Sequence, residues 1–474
     1  MEKRRVVVTG IGTVNPIGNN AEDSWKAIEE GRHGIGEISR FDTTDYTVKL
    51  AGEVKGLNFA EKFGKKEERT SDLFTQYALY AAEEAYLMSG LSVSKEAPDE
   101  RAGVILSSGI GGIGLTEREH DRGLEKGFER INPHYIPMTI ANMAAASIAI
   151  RYGLKGMCSC PVTACAGGSN AIGDAFHRIR DGYEDVMFCG GTESTITPVA
   201  VGGFASMRAL SHATDPDRAS IPFDAERSGF VMGEGAGVLV LESEEHAKKR
   251  GAKILAEIVG YGANCDAYHV TAPDPEGEGG KRCMELAIED AGISASDIDY
   301  INAHGTSTHL NDAGETKAIK KVFGDHAKEL KVSSTKSMTG HLLGGAGGVE
   351  AVFCVQAIGH GFIPPTVNYK VPDPECDLDY VPGKGIKADL KYVLSNSLGF
   401  GGHNACLIFA KCSIRSLHPH CVLPYACAVT RISSRSSVDT LPRRSLTNCA
   451  PCFFASFCAL MTRGWETVSM HTKM

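Results

Sequence analysis

No stretch of this chain approaches the roughly 20 consecutive apolar residues needed to span a bilayer, so the sequence offers no membrane-crossing helix. It also lacks a surplus of positive charge. Against 49 Lys and Arg stand 58 Asp and Glu, a formal charge of −9, and an acidic body repels phosphate unless a local basic patch overrides it, which argues against general nucleic-acid binding. An acidic partner must therefore meet a local basic patch. The first residues have no apolar segment of the secretory kind: Met1 to Arg5 lead straight into Val6-Val7-Val8-Thr9-Gly10, a strand and its glycine turn. The 15 cysteines lack the close spacing of a disulfide scaffold and fit a reducing cytoplasm.

What the chain does have is length and glycine. With 474 residues, 42% of them hydrophobic, and 54 glycines, it is expected to be a turn-rich α/β protein of two domain-sized units or one duplicated fold. Its organising stretch is Pro161 to Ala175, read as a strand end, a turn of small residues and a helix continuing through Phe176 and Ile179. Cys165 falls where that helix begins. Unpaired N–H groups and the positive end of the helix dipole favour thiolate over thiol there, and Ala164, Ala166, Gly167 and Gly168 leave room for a carbonyl to approach.

In chain order, Arg5 to Gly12 reads as a buried strand and Asn19 to Gly31 as a helix capped by Asn20. Gly64-Lys65-Lys66-Glu67-Glu68-Arg69 leads into a helix through Ala85 and is a candidate contact for an acidic partner. After the strand Ala102 to Ser108, Gly109-Ile110-Gly111-Gly112-Ile113-Gly114 matches the dinucleotide pattern G-x-G-x-x-G. Glu117, Glu119 and Asp121 open no apolar helix after it, and no acidic ribose ligand stands out, so these glycines are assigned to a substrate cavity. Pro137 to Tyr152 reads as one Ala-rich helix suited to close packing, and Cys158 and Cys160 as buried core thiols.

From residue 255 the pattern repeats: strands at Ala256 to Tyr261, Ile298 to Ala303 and Ala405 to Ala410, with a helix at Gly280 to Ala291. The turn before the last strand, Gly399 to Asn404, echoes the one before Val238 to Leu241. This gives one half over residues 1–254, a second over 255–411, and a tail over 412–474. From Lys411 to Met474 eight Lys and Arg stand against two Asp and Glu, six cysteines crowd in and no amphipathic period persists, so the tail is expected to be a disordered or adventitious appendage. Cys449 and Cys452 have the spacing of half a zinc or redox site without a second pair.

Two imidazoles complete the chemistry. His304 and His341 each follow a strand-like segment and precede small residues, a placement that exposes a ring into a cavity, where neutral imidazole N–H groups can hold charge developing on a carbonyl oxygen. Lys336, if buried near His341, would keep that ring uncharged or orient it, and Glu315 is the candidate to balance the lysine.

Thr163-Ala164-Cys165-Ala166, Asn302-Ala303-His304-Gly305-Thr306-Ser307-Thr308, Lys336-Ser337-Met338-Thr339-Gly340-His341 and Gly399-Phe400-Gly401-Gly402-His403-Asn404 together resemble the motifs of the β-ketoacyl-[acyl-carrier-protein] synthases, the condensing enzymes of fatty-acid synthesis. The resemblance covers about Lys3 to Lys411. It implies a thiolase-like, duplicated fold of five layers, α-β-α-β-α, and a cytoplasmic homodimer. Cys165 would carry the acyl group, His304 and His341 would bind the malonyl thioester, Lys336 would tune His341, and the N–H groups of Cys165 and Phe400 would form an oxyanion hole, with Phe400 as gate. Thr306 and Thr308 would contact the pantetheine arm, and Ile110 and Phe204 would line the acyl pocket. Lys65, Lys66, Arg69, Lys126, Arg130 and Arg208 would meet the acidic acyl carrier protein. That carrier delivers acyl and malonyl groups on its phosphopantetheine, and no metal or other cofactor is expected.

The rival readings fall to specific residues. A non-catalytic chain-length subunit of the same fold would lack the nucleophile, and thiolase would need a second cysteine at the condensing position where His341 follows Lys336. A Cys-His hydrolase would need a water-activating acid that no motif supplies. A polyketide-type ketosynthase is the alternative that these residues leave open.

Overall fold

A computed structural model describes residues 3–412. The tail from residue 413 onward, with Cys449 and Cys452, lies outside the described residues. Ten strands form the framework: β1 (Val6–Val14), β2 (Ala102–Ser107), β3 (Cys158–Ser159), β4 (Val186–Glu193), β5 (Gly235–Ser243), β6 (Ala256–Cys265), β7 (Tyr300–Asn302), β8 (Lys331–Ser333), β9 (Tyr392–Gly399) and β10 (His403–Ala410). Their order is β3-β2-β4-β5-β1 in one half and β8-β7-β9-β10-β6 in the other, the same sequence of neighbours twice. Directions repeat as well. β2 runs parallel to β3 and β4, and β5 antiparallel to β4 and β1; β7 runs parallel to β8 and β9, and β10 antiparallel to β9 and β6. The halves join where Val6–Val8 of β1 pairs with Ala256–Ile258 of β6.

Eight helices matter for the site: α1 (Ala21–Glu30), α2 (Lys65–Arg69), α3 (Leu73–Ser89), α4 (Met143–Tyr152), α5 (Gly167–Arg180), α6 (Glu278–Ala291), α7 (His309–Phe323) and α8 (Ala346–His360). Helices α3 and α4 cover the outside of the first half, α6 and α7 the outside of the second, and α5 and α8 lie between the sheets, which gives the five α-β-α-β-α layers. Composition explains the middle layer. Every residue of α8 from Ala346 to Ile358 is buried, as a helix apolar around its whole circumference must be. Glycine lets it approach closely: a Cβ on Gly168 of α5 would sit 2.7 Å from the Gly348 nitrogen. Strand β1 is buried at all nine positions because it is covered on both faces.

Local signals held where they were strong. Asn20 caps α1 by accepting the Asp23 N–H at 2.7 Å, and Gly31 closes it in the left-handed conformation. Elsewhere the structure differs. The helix expected over Pro137 to Tyr152 is two, Tyr135–Thr139 and α4, because the Thr139 carbonyl accepts the Gly112 N–H and is lost to the helical ladder. The glycine run at 109–114 does lead into a helix, Ile113–Lys126, but one burying only Leu115, Glu119 and Gly123. Cys158 is exposed and Cys160 only half-buried, since β3 is a two-residue strand at the edge of its sheet.

Candidate active site

Cys165 sits in a 3-10 turn, Ala164–Ala166, that immediately precedes α5. The turn is tight. Ala164 adopts φ +49°, Ala166 N–H closes on the Thr163 carbonyl at 3.1 Å, and the Thr163 hydroxyl donates to Asn170 Oδ1 at 2.6 Å. The end of β9 rests against it: a Cβ on Gly399 would lie 3.2 Å from the Cys165 nitrogen and 3.1 Å from that of Ala166. Next to Gly399, the Phe400 N–H donates to the Cys165 sulfur. The left-handed Gly401, at φ +82°, turns this loop back, and its N–H donates to the Val270 carbonyl at 2.7 Å.

The thiol is not the resting thiolate expected from its helix position. Burial pushes it up to about 12, against the opposing pull of the Lys336 charge and of the Phe400 and Cys165 N–H groups. Full desolvation outweighs them.

Cys165, His304, His341 and Phe400 line one cavity of about 340 Å³, together with Phe204, Thr306, Thr308, Arg208 and Glu315. The His304 and His341 rings stand 5.2 Å apart and nearly perpendicular, and Phe230 packs edge-on to His341 at 5.3 Å and to Phe204 at 5.5 Å. Phe204 in turn lies 6.4 Å from Phe400. Burial holds both imidazoles well below the usual histidine range, and the Lys336 charge lowers them further, so both are neutral. Each Nδ1 is buried without a hydrogen-bond partner.

Lys336 is itself buried, and its partner is Glu350 on α8, not Glu315. Glu315, on α7, instead accepts the His304 and Gly305 N–H groups, each at 2.8 Å, and the Asn396 amide at 3.2 Å; burial raises it to about 7. It anchors the backbone of an imidazole. The missed residue had a signal: Glu350 is the single charge within the apolar run Gly347 to Ile358, and a buried charge needs a partner.

The loop after His304 is held by a second buried network. Asp312 accepts the Thr306 N–H at 3.0 Å, the Thr306 and Thr308 hydroxyls meet at 2.9 Å, and the buried Arg227 donates to the carbonyls of Thr308 and His309 and to Asp373. Three expectations place residues outside the cavity. Ile110 is 41% exposed and is not in the lining, because the turn after β2 faces outward in the single chain. Lys65, Lys66 and Arg69 are exposed on α2, and Lys126 and Arg130 are exposed at the end of Ile113–Lys126 and in the turn after it. Of the six basic residues only Arg208 reaches the cavity wall.

Residues 3–247 match the family model described as beta-ketoacyl synthase, N-terminal domain, and residues 255–370 match that of the C-terminal domain. The chain belongs to the beta-ketoacyl synthase family. Among curated members, it is 52% identical over 412 residues to a 3-oxoacyl-[acyl-carrier-protein] synthase 2 of Synechocystis, covering 87% of this chain and 99% of the relative. It is also 52% identical over 410 residues to one of Staphylococcus aureus, covering 86% and 99%. Among solved structures, a beta-ketoacyl synthase from Burkholderia phymatum superposes with a TM-score of 0.79 at 35% identity, over 86% of this chain and 99% of that one. A type II polyketide ketosynthase, solved in complex with its acyl-carrier protein, superposes with a TM-score of 0.80 at 36% identity, over 86% and 100%. This beta-ketoacyl synthase has the thiolase-like duplicated fold of its relatives.

Proposed function

We propose that the protein is a 3-oxoacyl-[acyl-carrier-protein] synthase of type II, which elongates an acyl chain by decarboxylative Claisen condensation. The observation that carries the reading is one thiol facing two neutral imidazoles across a single cavity, with a backbone N–H from Phe400 on the sulfur. Acyl transfer comes first. The Cys165 sulfur forms a bond to the acyl carbon, the carrier's thiol leaves with the proton, and the Cys165 and Phe400 N–H groups hold the intermediate oxyanion. Malonyl carrier then loses carbon dioxide. His304 and His341 donate N–H bonds to the thioester oxygen on which the enolate charge gathers, and the enolate carbon attacks acyl-Cys165, expelling the Cys165 thiolate, which takes up a proton from solvent to restore the thiol. The chemistry draws on the chain's own groups and the carrier's phosphopantetheine, without metal or nucleotide.

Lys336 acts here by adding its charge to the burial that keeps both rings uncharged, and Phe400 acts as gate from its place between sulfur and Phe204. Thr306 and Thr308 receive the pantetheine arm, and Phe204 borders the acyl chain. Identity of 52% to curated synthases, against 36% to a type II polyketide ketosynthase, supports the fatty-acid assignment over the polyketide one. Arg208 at the cavity wall and the exposed Lys65, Lys66, Arg69, Lys126 and Arg130 are the basic side chains assigned to an acidic carrier on a chain of net charge −9.

A homodimer is supported by the edge strand β3 and the exposed apolar residues beside it, Ile110, Ile140, Met157 and Val162. In this reading Ile110 contributes to the acyl pocket through that face. The cytoplasm, which keeps Cys165 reduced, is the compartment, and no helix among the described residues is long and apolar enough to cross a membrane. The test is mass spectrometry after exposure to acyl carrier, which should find one thioester, on Cys165. Cys165→Gln should decarboxylate malonyl carrier without condensing it; an inert variant would overturn the mechanism.

A further inference from the structure

The turn that carries Cys165 occurs twice. In the second half Leu342-Leu343-Gly344-Gly345 forms the same elbow: Leu343 adopts φ +47° as Ala164 adopts +49°, Gly345 N–H closes on the Leu342 carbonyl at 2.9 Å, and the 3-10 turn Leu343–Gly345 runs directly into α8. Gly344 stands where Cys165 stands in the first elbow. The last residue of a strand faces each elbow from the opposite half, Gly399 of β9 at the first and Glu193 of β4 at the second. The side chains are exchanged: thiol against glycine in one, glycine against carboxylate in the other.

Glu193 fills the second elbow completely. Its side chain is fully buried, and no cation pairs with it among the described residues. Oε2 accepts the Gly344 N–H at 3.0 Å and the Gly109 N–H at 2.8 Å, while Oε1 accepts the Ser108 hydroxyl at 3.1 Å and the Ile110 N–H at 3.3 Å. A Cβ on Gly344 would lie 2.9 Å from Oε2 and 2.4 Å from the Gly109 nitrogen, so the carboxylate occupies the space a nucleophile's side chain would need. The converging N–H groups resemble the donors that hold a reaction oxyanion, with a resident carboxyl group in its place.

We propose that Glu193 is the built-in carboxylate ligand of a second, nucleophile-free elbow, and that by filling this N–H cradle it positions the cavity wall at Leu343 beside His341. It is a positioning residue, since it reaches the chemistry only through Gly344 and its neighbour Leu343, which lines the cavity. Burial raises the Glu193 carboxyl to about 7 against the pull of the four donors, and in its ionised form its charge raises the Cys165 thiol, so the two elbows are linked electrostatically.

Glu193→Ala empties the cradle without removing the donors. Condensation is expected to fall by about tenfold or more, because buried N–H groups lose their acceptor. Added formate is expected to restore most of the rate and to raise the melting temperature of the variant but not of the unsubstituted enzyme; formamide, neutral and of the same shape, should do neither. An unaltered rate in the variant, equal rescue by formamide, or a folded variant that formate leaves unchanged would overturn the proposal. Should Glu193→Ala fail to fold, Glu193→Gln keeps the volume and loses the charge. It should melt lower and show iodoacetamide alkylation of the Cys165 peptide, followed by mass spectrometry, shifted to lower pH; wild-type behaviour in both would overturn the proposal equally. The rate readout rests on the synthase reading, whereas melting and alkylation need no carrier or acyl substrate, so failure of one is separable from failure of the other.

Discussion

The two halves of the sheet repeat one strand order and share almost none of their chemistry. The first contributes a single reactive atom, the Cys165 sulfur, in a turn built from small residues and fastened by Thr163 to Asn170. The second contributes both imidazoles, the lysine that keeps them neutral, the carboxylates that hold lysine and backbone, and the N–H of Phe400. Duplication thus supplied two copies of a scaffold, and specialisation made one the acceptor of the acyl group and the other the site of carbanion formation. If that division holds, loss of the second half's imidazoles must stop decarboxylation while sparing acyl uptake, and damage to the first half's turn must do the reverse.

The largest effect is expected at Lys336. Lys336→Ala leaves Glu350 as an uncompensated buried carboxylate, which costs about 3–5 kcal/mol, read as a lower denaturation midpoint; adding Glu350→Gln should recover part of it. Next come the imidazoles. His304→Ala or His341→Ala should slow malonyl decarboxylation by about 100- to 1,000-fold while mass spectrometry still finds acyl-Cys165; full condensation by either variant would break the comparison.

Glu315→Gln should cost about 1–3 kcal/mol, because one oxygen that accepts a buried N–H is lost. It also carries a pH signature. The folded carboxyl is raised to about 7 from an unfolded 4.5, so its contribution to stability is present below the lower value and is lost as pH rises through the upper one. In the Gln variant the decline of stability across that window should flatten. The smallest effect belongs to the first half. Thr163→Val removes one hydrogen bond, worth about 1 kcal/mol, and should slow acylation of Cys165 several-fold while leaving decarboxylation in a Cys165→Gln background unchanged.

Much of this was legible in the sequence. Asn20 and Gly31 bound α1 because caps are local, and Cys165, His304, Lys336 and His341 were legible because each sits in a turn of small residues that leaves a reactive group uncovered. What escaped were decisions made by distant neighbours. Glu315 and Glu350 are both lone acids on helices, and only the packing of α7 against β7 and β9 and of α8 between the sheets decides which one meets the lysine. The Pro137 to Tyr152 helix broke because Gly112, far away in sequence, takes a carbonyl from it. The thiol's pushed-up protonation state is a property of the closed cavity, whereas the turn alone argued the other way.

Strand β10 lies inside its sheet, between β6 and β9, and the residues just before it supply the N–H that touches the Cys165 sulfur. During synthesis, therefore, the nucleophile leaves the ribosome long before the groups that surround it. Until Phe400 emerges and β10 takes its place between β6 and β9, Cys165 lacks both the N–H that meets its sulfur and the closed cavity around it.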